Sequence, residues 1–163
     1  MAALASRPVR ALLLAALSAV AISLAGCGGS SCCLAPVSIP ANIRGWWDSS
    51  LDTPRGRDVI YTHISREGGF IQYDYDGDAV NRGLDCFTVQ TGRLLPAEQN
   101  TWLVQPDTAS APVFFLRLAP ASDGHGMRVE FLDGRSRQRV LRTQQWRRLR
   151  DTRVVENEPA CTQ

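Results

Sequence analysis

VFFLRLAPASDGHGMRVEFLDG, residues 113–134, decides the fold class. Val113 to Leu118 is an apolar run broken only by Arg117. Further on, Met127, Val129 and Phe131 alternate with Arg128 and Glu130. A period of two sends successive side chains to opposite faces of a strand, whereas an amphipathic helix repeats at three and four. Between the runs stands Asp123-Gly124-His125-Gly126, and Asp133-Gly134 follows them. Asp next to Gly is the chemistry of a tight turn, because Gly adopts positive φ without a steric cost. The stretch reads as strand, turn, strand, turn.

The same grammar extends outward. Val59–Ile64 is apolar on both faces, Phe70–Tyr75 sets Ile71, Tyr73 and Tyr75 on one face, and Leu84–Val89 and Thr101–Gln105 follow. Glu67-Gly68-Gly69 and Asp76-Gly77 punctuate them. Arg139–Arg150 reads equally as a last strand or a short helix. Seven to nine short strands joined by tight turns predict an all-β domain, an antiparallel meander closed as a barrel or folded as a sandwich. It is expected to span residues 43–163.

The charge is uneven. All 18 basic residues are Arg, against 16 acids, and the formal charge is +2. Arg7 and Arg10 account for that excess, so the chain from residue 27 onward is neutral, with 16 Arg and 16 acids. The absence of Lys excludes a P-loop and Schiff-base chemistry, both of which need the amine. Residues 1–26 read as a secretory signal: two Arg, then the 15-residue apolar stretch Ala11–Ala25, shorter than the roughly 20 residues that span a bilayer. Export makes nucleic acid an unexpected partner.

Leu24-Ala25-Gly26-Cys27 resembles the bacterial lipobox. The resemblance implies cleavage before Cys27, which then carries a diacylglycerol and further acyl chains. Gly28 stands where an Asp would retain such a protein at the inner membrane. The implied place is therefore the cell envelope, at the outer membrane facing the periplasm if the cell is Gram-negative. Residues 27–42, rich in Gly, Ser and Pro, read as a flexible tether. With Cys27 lipidated, Cys32, Cys33, Cys86 and Cys161 remain, and four thiols allow three connectivities. Neighbouring Cys32 and Cys33 would strain a mutual bond. The favoured pair is Cys86 with Cys161, and pairing of Cys32 and Cys33 with those two stays open.

Gly45-Trp46-Trp47 resembles the G-x-W opening of the lipocalin-like barrels. The resemblance implies that Trp47 closes one barrel end, with Arg142, Arg147 or Arg148 packed across its ring. It also implies a disulfide from tail to central strand, which suits Cys86 and Cys161. The family's second motif is absent, and the domain is short for it. Tyr73-Asp74-Tyr75-Asp76-Gly77-Asp78 with Cys86-Phe87 is similar to small bacterial envelope proteins of uncharacterised role.

In a barrel of this kind, Tyr73, Tyr75, Trp102 and Phe115 are the expected lining of a ligand cavity in the barrel interior. Arg135, Arg137 and Arg139, the start of eight Arg between residues 135 and 153, are expected on one strand face as a partner-binding patch, complementary to anionic lipid heads or an acidic protein. Asp74, Asp76, Asp78, Asn81 and Asp85 approach a calcium-loop spacing, but Ala79 stands where the loop needs Gly. They read instead as turn carboxylates. No metal and no cofactor is expected. No nucleophile–base pair, G-x-S-x-G or metal-spaced His pair is present, and His63 and His125 read as structural. The expected function is a non-catalytic, membrane-anchored module that binds an apolar or amphipathic ligand or an envelope component. The alternative is a protein-binding module, an enzyme inhibitor or assembly factor.

Overall fold

The computed structural model describes residues 37–157 and 159–161. The segment read as a secretory signal, and with it Cys27, Cys32 and Cys33, lies outside the described residues. Ten strands are formed: β1 (Gly45–Asp48), β2 (Leu51–Thr53), β3 (Gly56–Asp58), β4 (Ile60–Ile64), β5 (Gly69–Tyr75), β6 (Phe87–Glu98), β7 (Thr101–Pro106), β8 (Phe114–Pro120), β9 (Gly126–Leu132) and β10 (Val140–Arg148). One short helix, α1 (Arg153–Glu156), follows. Eight strands close a barrel in the order β1-β10-β9-β8-β7-β6-β5-β4, and β4 pairs back onto β1. All of these pairings are antiparallel. The fold is thus the all-β antiparallel meander closed as a barrel, with β2 and β3 forming a separate ribbon between β1 and β4. The ambiguous Arg139–Arg150 segment is a strand.

Residues 113–134 show how the sequence builds this wall. Leu116 faces Phe131 and Leu118 faces Val129 across β8 and β9, inside the barrel. Arg117 faces Glu130 outside, where their charges meet at 2.7 Å. The turn closes with Ala121 N–H on Gly126 O at 2.8 Å and His125 N–H on Asp123 Oδ1 at 2.9 Å.

The interior divides along the barrel axis. At one end, Trp47, Ile64, Phe70, Leu94, Val104, Leu116, Leu118, Met127, Val129 and Trp146 form one buried cluster. Ile39 and Ile43, from the segment ahead of β1, belong to it, so the chain enters at this closed end. Ile39 falls within the stretch read as tether and is fully buried. Trp47 is also fully buried, and its Nε1–H donates to Ile43 O at 3.0 Å. The Arg148 guanidinium lies 4.0 Å from its ring centroid and donates to the carbonyls of Arg44 and Asn42. Gly45 makes room for that arginine: its φ is +99°, and a Cβ there would meet Arg148 Nη1 at 2.6 Å. Of the three arginines expected over Trp47, Arg148 takes the place. Arg142 stacks on Phe131 at 4.2 Å, and Arg147 is exposed.

Candidate functional site

At the opposite end the inward positions become polar. Register places Gln72, Asp74, Thr88 and Gln90 on the same face as Phe70, yet Gln90 is exposed, so this mouth is open to water. Carboxylate oxygens of Asp58, Asp74 and Asp78 lie within 4.8 Å of one another here. Asp78 anchors the loop after β5: its Oδ1 accepts from Val80 and Asn81 N–H, and its Oδ2 accepts from Val59 N–H at 2.7 Å. Burial works to raise its pKa, but those backbone amides outweigh it and hold the carboxyl low. Asn81 donates to Asp74 Oδ1, Asp85 accepts from Tyr75 and Asp76 accepts from Thr88. The acidic run is therefore spent on hydrogen bonds that shape turns, as the turn reading expected, although Asp78 is buried rather than facing water.

Asp58, contributed by β3, joins this cluster unheralded. Its Oδ1 is buried and has no hydrogen-bond partner among the described residues. Burial, reinforced by the charges of Asp74 and Asp78, pushes its pKa up to about 6. Arg142 is the cation that senses Asp58. Three hard oxygen donors could hold Ca²⁺ or Mg²⁺, or share a proton.

The raised pKa carries a sign. The unfolded carboxyl ionises near its ordinary value of 3.8, the folded one near 6. The stability contributed by protonated Asp58 is therefore complete below the lower value and lost as pH rises through the upper one. Asp58→Asn is expected to be more stable than wild type at about pH 8 by about 1–2 kcal/mol, after discounting for solvent screening. The advantage should vanish near about pH 4. Urea midpoints at both pH values check this, and an advantage independent of pH counts against it.

The expected ligand-lining aromatics do not converge. Trp102 faces inward and packs, half-buried, against the core. Phe115 faces outward, covered by the Arg137 guanidinium at 4.6 Å from its centroid. Tyr73 and Tyr75 share a face as their spacing predicts, and it is the outer one. Register sets them beside Tyr61, His63 and Val89, opposite in sense to Thr62 and Ile64.

That outer wall is an aromatic tract. Trp46 lies 4.7 Å from His63 and 5.5 Å from Tyr73, while Phe87 stands 6.0 Å from Tyr61, 6.0 Å from Tyr73 and 5.3 Å from Tyr75. All except buried Phe87 are half-buried. Burial depresses the His63 pKa, favouring the neutral ring against its aromatic neighbours, and raises that of Tyr61. A groove of about 270 Å³ opens beside the tract, lined by Val59, Tyr61, Tyr75, Phe87 and Val154. The C-terminal tail forms its border. Cys86 and Cys161 are disulfide-bonded with Cα atoms 5.1 Å apart, so they offer no thiolate to a metal. Phe87 N–H donates to Pro159 O at 2.9 Å, and Cys161 N–H to Phe87 O at 2.8 Å.

Arg135, Arg137 and Arg139 are exposed in the turn between β9 and β10, not along one strand face. Arg137 is drawn back onto Phe115 and toward Glu98 at 3.5 Å. The neutral total hides a segregation. Residues 113–153 carry ten Arg against four acids, and residues 44–112 carry six Arg against ten acids. A second concavity of about 300 Å³ lies between the β2–β3 ribbon and β10, lined among others by Asp48, Asp52, Arg57, Thr143, Gln145 and Arg147. Apart from Arg147, no sequence signal marked those residues, since the site exists only where non-adjacent strands meet. No protein-family model, curated protein or solved structure matches this chain.

Proposed function

We propose that the chain is a lipid-anchored protein of the bacterial cell envelope whose barrel is a non-catalytic binding module for an amphipathic ligand or envelope component. In a Gram-negative cell its place is the outer membrane, facing the periplasm. The ligand is held on the outside of the wall formed by β1, β4, β5 and β6. One contrast carries this reading. The apolar interior is filled by its own side chains, whereas a run of aromatic rings lies half-exposed outside, beside a groove. Clustered exposed rings mark interaction surfaces, and Tyr and Trp suit a ligand with one apolar and one wet side. Asp85, which accepts from the Tyr75 hydroxyl, supplies a polar edge. An acylated Cys27 would keep the module among amphiphiles, since two or more chains anchor stably.

Mass spectrometry of material co-purified with the membrane form tests both halves. Tyr75→Ala and Trp46→Ala should each lower the recovered amphiphile by roughly tenfold, the scale of one lost aromatic contact. Labelled palmitate should enter wild type and not Cys27→Ala. Undiminished recovery from both aromatic variants removes the binding face, and equal labelling removes the anchor. Recovery of a protein in place of an amphiphile would favour the alternative, an inhibitor or assembly factor.

A further inference from the structure

The barrel closes at an incomplete seam. β10 pairs with β9 along its length, but with β1 only through Trp47↔Arg148 and Asp48↔Arg147. Beyond Asp48 the chain turns away: Ser49 N–H goes to Ile60 O at 2.9 Å, and Ser50 N–H goes to Asp48 Oδ1 at 3.1 Å. Residues 140–146 of β10 therefore have a ladder partner on one side only. The direction of their backbone groups follows from the hydrogen bonds just below. Arg148 N–H points to His125 O on the β9 side, and Leu149 N–H points to Trp46 O on the β1 side. Backbone direction alternates along a strand, and the register of β10 shifts only between Val140 and Arg142. The N–H and C=O groups of Thr143 and Gln145 thus face the open side, into the concavity of about 300 Å³ under the β2–β3 ribbon.

We propose that this seam is a docking slot for an extended polypeptide segment of a partner protein, taken up by strand addition to the free edge of β10. Alternating donors and acceptors on a strand edge match one chemistry, that of another extended backbone. The side chains around it carry the specificity. Asp48 is occupied by Arg57 at 2.8 Å, whereas Asp52 and Arg147 have no ion-pair partner among the described residues and frame the slot with opposite charge. The segment accordingly presents a basic side chain to Asp52 and an acidic one to Arg147. The bulge between Val140 and Arg142 ends the usable edge and blocks indiscriminate pairing, as bulges do on exposed edges.

Amide hydrogen exchange on the purified full chain tests the slot, with a blocked pentapeptide Thr-Lys-Thr-Glu-Thr as probe. At millimolar peptide, exchange at Thr143 and Gln145 should slow about tenfold, while amides of the aromatic wall stay unchanged. Main-chain pairing requires that a peptide N-methylated at its central residues give no protection. Gln145→Pro should abolish protection with the barrel intact, because the lost N–H points into the slot. An absence of protection by the parent peptide overturns the proposal. So does equal protection by the N-methylated one, or full binding by Gln145→Pro in a chain with a native circular dichroism spectrum. Protection confined to Tyr61, Tyr75 and Phe87 would overturn it while leaving the aromatic face in place.

Discussion

Trp47→Ala is expected to lower the unfolding free energy by about 3–5 kcal/mol, the range for removing a large buried aromatic side chain. Three observations put it toward the upper end. The ring is fully buried, so its loss opens a cavity bounded by the strands that close the barrel. Its indole N–H ties β1 to Ile43, and hence to the segment that plugs the closed end. Its face carries the Arg148 guanidinium, which would lose its stacking surface. A domain of this size has about 5–15 kcal/mol in total, so the variant should unfold at a markedly lower urea concentration. Arg148→Ala removes the stacking together with the hydrogen bonds to the carbonyls of Arg44 and Asn42, and should cost about 1–2 kcal/mol. A Trp47→Ala midpoint within error of wild type would show that the closed end does not hold the barrel together.

Cys161→Ser is expected to cost about 4 kcal/mol. The bond joins residues 75 apart in sequence, and closing a loop that long restricts the unfolded chain by about that amount in the loop-entropy account. Wild type under reductant should fall to the stability of Cys161→Ser, and reductant should not lower the variant further. Wild type indifferent to reductant would argue that the bond contributes nothing. The loss also reaches the proposed binding wall. With the bond cut, the tail is held beside Phe87 by two backbone hydrogen bonds, Phe87 N–H to Pro159 O and Cys161 N–H to Phe87 O, and by the packing of α1. The groove bordered by Val154 should then loosen, weakening ligand recovery together with stability.

The two variants also separate what was legible in the chain. Period-two alternation at Met127–Phe131 and turns at Asp123-Gly124 name strands because side-chain direction is a local property of the backbone. Closure as a barrel is not local. It depends on β1 meeting both β4 and β10, three segments far apart in sequence. The Cys86–Cys161 pairing was within reach, since few connectivities were open. Tyr73 and Tyr75 share one face as their spacing requires, but the expectation that this face is the interior fails, because Val59–Ile64 is apolar on both faces and gives no sign of which side is in. Phe115 illustrates the same ambiguity: it is buried, yet under Arg137 on the outer wall. Asp58 went unread because its neighbours Asp74 and Asp78 come from another part of the chain.

By itself the sequence determined a Lys-free chain, neutral from residue 27 onward, and strands with their turns. Those are properties of composition and of residues close along the chain. Only the tertiary structure decided which arginine covers Trp47, since Arg148 alone combines the register opposite Trp47 with the space left by Gly45. It decided that the tyrosines face out, that three carboxylates crowd the mouth, and that β10 keeps an open edge. Each of these turns on how strands distant in sequence are set side by side, and that arrangement comes from burying one shared core.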